Sequence, residues 1–231
     1  MKLIRVLLLI IFVALLCLPI LAQQSDINRY TLFTGFDYMV SPARNLTERG
    51  FESDFGITAK PWLGLGVDVG IITGAGTITG TETVYATPVN RLLGPGAAAS
   101  LHVPFNSTTY TFAAGPQFYL RKWEKITFLI RPGFGGMHES ADITFPAGLA
   151  PIFQALQLAP PNAHQNDTQL FFGLGGGFDV NVTRAVGVRF AADWVNTHLF
   201  SNLLVPRQNY VRFSIGPTFR WGHLGGEHSM H

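Results

Sequence analysis

The sequence predicts an all-β fold: a closed antiparallel up-and-down transmembrane β-barrel of about eight strands. Apolar and polar residues alternate with period two in segment after segment. Although 47% of the residues are hydrophobic, no apolar run beyond residue 22 approaches the roughly 20 residues a membrane-crossing helix needs. The connections between segments are short and long in turn, the asymmetry of a membrane barrel.

The chain opens with Lys2 and Arg5, an apolar run from Val6 to Leu16, then Leu18 to Ala22 ahead of Gln23-Gln24-Ser25. A basic head, an apolar body and a small residue at its end describe a secretory signal peptide over 1–22, cleaved after Ala22, in preference to a spanning anchor. Cys17 follows Leu15-Leu16, where a lipidation box requires a small residue, so it leaves with that segment. The remainder is then free of cysteine and formally neutral, because losing Lys2 and Arg5 leaves basic side chains that match the 14 acidic ones. This excludes a disulfide framework and a basic field for nucleic acid. A closed barrel is the remaining membrane solution, since lipid offers unpaired backbone groups no partner.

The alternation is clearest near the end, where Val211, Phe213, Ile215, Pro217, Phe219 and Trp221 face one way and Arg212, Ser214, Gly216, Thr218 and Arg220 the other. Before it, Val186, Val188, Phe190, Ala192 and Trp194 oppose Gly187, Arg189, Ala191 and Asp193. Across the turn Thr183-Arg184-Ala185, Phe172, Leu174, Phe178 and Val180 oppose Gly173, Gly175, Gly177 and Asp179. A second hairpin turns at Lys122-Trp123-Glu124-Lys125, with Tyr110, Phe112, Phe118 and then Phe128, Ile130, Phe134 on the apolar face and Thr109, Gln117, Arg121 and then Thr127, Arg131 behind. At the front, Tyr30, Leu32, Phe36 and Tyr38 oppose Gly35 and Asp37. Phe51, Phe55 and Ile57 oppose Glu52, Asp54 and Thr58; after Lys60-Pro61-Trp62, Leu65, Val67, Val69 and Ile71 oppose Gly66, Asp68 and Gly70. The long connections, 41–49, 74–105, 137–165 and 197–208, are the expected outer loops, which puts both termini in the periplasm. A soluble sandwich or lipocalin-type barrel also alternates, but its exterior carries Lys and Glu, whereas the polar face here is rich in Gly. The barrel domain is expected over 23–221, with a short periplasmic tail over 222–231.

The last strand ends Ser214-Ile215-Gly216-Pro217-Thr218-Phe219-Arg220-Trp221, with Ser214, Gly216, Phe219 and Trp221 at the spacing of the C-terminal assembly signal of outer-membrane barrels. With eight strands over 29–221, the chain resembles the OmpA-type and related small outer-membrane β-barrel families of Gram-negative bacteria. The resemblance implies insertion by the barrel assembly machinery, outer-membrane lipid and lipopolysaccharide as surroundings, and a monomer. No cell-wall-binding domain follows the barrel, so cell-wall anchoring is not part of what it implies.

The inward positions collect Asp37, Glu52, Asp54, Asp68, Asp179 and Asp193 against Lys60, Arg121, Arg131, Arg189, Arg212 and Arg220. An eight-stranded interior is only wide enough for side chains, so these are expected to close the lumen as ion pairs. Catalysis by the same carboxylates would need a substrate cleft. His198-Leu199-Phe200-Ser201-Asn202 bears a weak likeness to the rim of lipid A deacylases, yet His198 and Ser201 fall on opposite faces of a strand and no acidic residue follows before Glu227. The glycine strings 133–136 and 173–177 lie inside strands and open no helix, so they are not phosphate loops. His223, His228 and His231 are expected in a frayed tail, without metal or cofactor. The segments 97–105 and 145–161, the latter with Ile152, Phe153, Leu156 and Leu158 at helical spacing, expect apolar cover over the mouth, or contact with lipopolysaccharide or a partner. The expected function is a non-catalytic structural or surface-interaction barrel. A narrow porin-like conduit for small hydrophobic solutes comes second, and a lipid-modifying enzyme third.

Overall fold

The computed structural model describes residues 27–83, 86–144, 164–201, 204 and 208–224. The expected signal peptide, the apolar segment 145–161 and the end of the tail lie outside them. Eight strands are present: β1 Asn28–Ser41, β2 Leu46–Lys60, β3 Leu63–Thr79, β4 His102–Leu120, β5 Ile126–Ile143, β6 His164–Asn181, β7 Val186–Thr197 and β8 Gln208–His223. Each pairs antiparallel with the next, and β8 returns to β1 with Phe219 opposite Leu32, closing the barrel. Closure satisfies every strand by a neighbour at the depth where lipid cannot.

The outer face forms an apolar belt. Phe51, Leu65 and Leu170 are each about two-thirds exposed, and Val67, Phe112, Ile130, Phe172 and Ile215 continue the band around the barrel. Exposed surface of this extent is compatible with lipid and not with water. Aromatic rings edge the belt at the tight-turn end: Trp62 stacks on Phe118, Trp123 meets Phe128 edge-on, and Trp221 packs with Tyr30 and Phe55. Such amphipathic rings suit the boundary between hydrocarbon and headgroups.

The strands run well past this belt. Above Ile71, Tyr110, Phe134 and Leu170, the outward residues become Thr73, Thr108, Asn106, His138, Ser140, Asp142 and Thr168, while apolar residues join the inward face, with Ile72, Phe105, Met137, Ala141 and Phe171 buried beside Glu48, Thr109 and Glu139. The facing rule has reversed, as it must where the surroundings change from lipid to water. The first three outer connections are consequently shorter than the sequence pattern suggests, while the fourth, between Thr197 and Gln208, keeps its expected bounds. The first is a tight turn, Pro42–Arg44 with Asn45 in the left-handed region at φ 42°, and β4 already begins at His102 with Phe105 turned inward. Between β3 and β4, helices Ala86–Leu93 and Ala97–Ser100 pack through Val89 and Ala98.

The height of the belt is testable on a single strand face. Val69→Arg places a charge in the lipid zone and is expected to cost about 2–4 kcal/mol, whereas Thr73→Arg, outward on the same strand but above the belt, should cost roughly 0–1 kcal/mol. Urea midpoints and heat-modifiable migration of the two variants refolded in bilayers measure the difference.

Candidate functional site: the filled lumen

From the turn end upward, the lumen is a column of charge. Arg189 on β7 donates through Nε to Asp179 Oδ1 at 2.7 Å and through Nη2 to Oδ2 at 3.2 Å, and Arg220 Nη2 reaches the same carboxylate at 2.8 Å. The Arg189 guanidinium also lies over the Phe33 ring, an inward aromatic on β1 that the apolar-out pattern does not reveal. Gln117 Nε2 donates to both oxygens of Asp54, at 3.0 and 2.8 Å, and the Tyr119 hydroxyl donates to Gln117 Oε1.

One layer higher, Asp193 on β7 receives two arginines. Arg131 on β5 donates at 2.9 Å from Nε and 2.5 Å from Nη2, and Arg212 on β8 at 3.0 Å from Nη2. Arg131 extends to Glu52 and Asp54, each at 3.2 Å; Arg212 extends to Glu52 at 3.1 Å and Asp68 at 3.2 Å. Five strands are thereby tied across the lumen. Asp37 stands at the edge of this cluster, 4.0 Å from Arg212 Nε.

Glycine makes the arrangement possible. Gly175 sits opposite Asp193 in the ladder, and a Cβ there would fall 1.6 Å from Asp193 Oδ1; at Gly66 it would fall 2.0 Å from Gln117 Nε2. The absent side chains leave room for the longer polar ones. On the same side, a small cavity is lined by Gly115, Gly133, Gly173, Arg131, Asp193 and Arg212.

One inward assignment and one ion-pair assignment are corrected. Lys60 is exposed, with its ammonium 5.9 Å from the Trp62 ring centroid, because the register shifts between Thr58 and Lys60 just before the turn. Arg121 is buried, but within the described residues it stacks on Tyr119 at 4.3 Å and meets no carboxylate.

The pattern also missed a second closure above the charged column. Arg44, from the first turn, enters the mouth and forms a bidentate pair with Glu139, with Nη1 donating to Glu139 Oε2 and to the Tyr210 hydroxyl, each at 2.7 Å. Burial opposes the charge, and the facing Tyr210 and Glu139 more than offset it, holding the guanidinium above its ordinary range. Phe105 and Phe200 flank the guanidinium, within an apolar layer of Met39, Leu46, Ile72, Met137, Phe171 and Leu204. Continuing the inward parity of β5 from Arg131 would have found Glu139. Nothing local marks Arg44, whose partner is 95 residues away.

Chemically, these groups pair charges across the lumen and tie distant strands together. The arginine cluster contains no histidine or cysteine, and no grouping of metal-ligating residues occurs among the described residues. His198 and Ser201 are exposed, and Asn202 lies outside the description. Asp193 is the partner expected to couple to Arg212. A double-mutant cycle of Arg212→Met with Asp193→Asn should show coupling well above the ~0.5 kcal/mol of independent sites, and the cycle with Asp179→Asn should not. Denaturant unfolding in detergent reads both cycles.

No family model and no curated protein matches this chain. Among solved structures, neisserial surface protein A (NspA) is 10% identical, covers 83% of this chain and 97% of its own, and superposes with a TM-score of 0.51. Ail of Yersinia pestis (11% identity, 83% and 96% coverage, TM-score 0.42) and OprG of Pseudomonas aeruginosa (12%, 85% and 97%, 0.44) are also similar. The likeness at these identities is one of fold and rests on the first. Eight strands, the closing β1–β8 pair and this superposition give the chain the fold of the small outer-membrane β-barrels.

Proposed function

We propose that the protein is a bacterial outer-membrane barrel that conducts no solute and serves a structural and surface-presenting role. The observation that carries this is the double closure of the lumen, by the Arg131–Asp193–Arg212 bridge and by the Arg44–Glu139 pair within its apolar layer. Passage would require parting charges already withdrawn from water, which costs several kcal/mol per stranded ion. The tight turns and both termini belong in the periplasm, and the polar strand extension faces outward, against lipopolysaccharide. Phe219 and Trp221 face lipid on β8, where the assembly machinery would meet them, while Ser214 is buried on the lumen side. The barrel acts as a monomer, its lipid belt being continuous.

One observation favours the second reading, a conduit for small hydrophobic solutes: a small apolar cavity at the mouth, lined by Ile78, Phe105, Ala141, Ile143 and Leu204 beside Arg44. It ends on the Arg44–Glu139 pair. Planar-bilayer recording separates the two. The wild-type barrel should show no steady current, and Arg44→Ala combined with Arg131→Ala should open small, regular conductance steps. Steps in the wild type would favour the conduit.

A further inference from the structure

Just above the apolar belt, the outer faces of β5 and β6 carry a serine, a histidine and an aspartate in hydrogen-bonded series. Ser140 and Asp142 are two apart on β5 and share its outer face. The register places His164 of β6 across from Asp142, and Asn166 across from Ser140. His164 Nδ1 lies 2.7 Å from Asp142 Oδ1, and His164 Nε2 lies 3.4 Å from Ser140 Oγ. With Nδ1–H donating to the carboxylate, the Nε2 lone pair is left for the serine hydroxyl. That division of the two ring nitrogens is what a general base for a serine nucleophile requires.

We propose that Ser140, His164 and Asp142 form a hydrolase site on the outer surface, acting on a carboxylic ester of an amphiphile held against the barrel. Ser140 Oγ attacks the acyl carbon as His164 Nε2 takes its proton. The tetrahedral intermediate collapses, the C–O bond to the leaving alcohol breaks, and His164 returns the proton to that alcohol. Water, deprotonated by the same nitrogen, then attacks the Ser140 acyl ester and releases the carboxylic acid with the free hydroxyl. Asn166, exposed and opposite Ser140, offers an amide N–H to the oxyanion, while Asp142 positions the imidazole.

The substrate class follows from depth. Tyr110, opposite His138, tops the belt on β4, and Ser140 is the next outward residue of β5 beyond His138. Two residues of tilted strand rise about 5 Å, within the headgroup layer of roughly 5–8 Å that borders the hydrocarbon, where ester linkages of amphiphiles lie. The site is open, the His164 and Asp142 side chains being 54% and 72% exposed. In water such a site is weakly activated, and an amphiphile lying across it would exclude that water. This inference stands apart from the closed lumen, since no group of the triad faces inward.

The full-length protein, refolded in lipid nanodiscs, is treated with a fluorophosphonate probe and assayed with p-nitrophenyl butyrate and p-nitrophenyl laurate. Labelling is expected at Ser140 by peptide mapping and is lost in Ser140→Ala and His164→Gln. Laurate hydrolysis should exceed butyrate hydrolysis and fall about 10²-fold or more in Ser140→Ala. Asp142→Asn should fall similarly, with partial rescue in Asp142→Glu, which a merely structural aspartate would not show. Heat-modifiable migration verifies that each variant is folded, as exposed outward positions predict. Absence of label at Ser140 in the folded wild type, or hydrolysis unchanged in Ser140→Ala, overturns the site; faster hydrolysis of butyrate overturns the amphiphile. Bilayer conductance is unaffected by these variants, so failure here is distinct from failure of the closed-lumen reading.

Discussion

Backbone hydrogen bonding at membrane depth is the constraint on which the rest of this protein depends. A strand in hydrocarbon has no water to satisfy an unpaired N–H or C=O, so the sheet must close on itself, as it does between β1 and β8. Closure with eight strands leaves an interior only as wide as the side chains that fill it. Every second residue must therefore point into a narrow space, and what those residues are decides whether the barrel is a plug or a passage.

In the belt region the interior is filled by arginine and carboxylate. Such groups are costly to bury singly, and they persist because each arginine engages several acceptors: Arg131 reaches Asp193, Glu52 and Asp54, and Arg212 reaches Asp193, Glu52 and Asp68. Asp193 is the hinge of the cluster because it takes the shortest bond from each, and Gly175 opposite it supplies the space. Cross-links between strands distant in the ladder brace the barrel in directions that backbone pairing does not. On the reading proposed above, stability and impermeability are two consequences of one network.

Above the belt the same strands obey the opposite rule. Ile72, Phe105 and Met137 turn inward, and His138, Ser140 and Asp142 outward, so the protein changes from a membrane barrel to a small water-exposed one without a break in the ladder. Arg44 and Glu139 are the polar centre of this upper core, held between Phe105 and Phe200. The chemistry proposed for this molecule lies on the outside. The lumen is occupied, whereas the outward row of polar residues meets both headgroups and solvent, and the pairing of β5 with β6 holds Ser140, Asp142 and His164 at fixed spacing.

By itself the sequence determined the fold class, the strand count, the lipid-facing residues and nearly all the charges of the lower lumen. A period of two is a local property, and lipid on one side makes it visible at Val211, Phe213 and Ile215 as clearly as inside at Arg212 and Ser214. The turn bulge hid the outward fate of Lys60, since one shifted residue exchanges the two faces. Only the tertiary structure decided where the strands end, because beyond the belt apolar residues point in and the signal that marks a lipid-facing strand vanishes. It alone paired Arg212 with Asp193 and Arg189 with Asp179, a choice set by register. It brought Arg44 to Glu139 and His164 to Ser140 and Asp142 across 95, 24 and 22 residues of chain. Contacts of that kind depend on which strands become neighbours and at what stagger, and no single stretch of sequence carries that information.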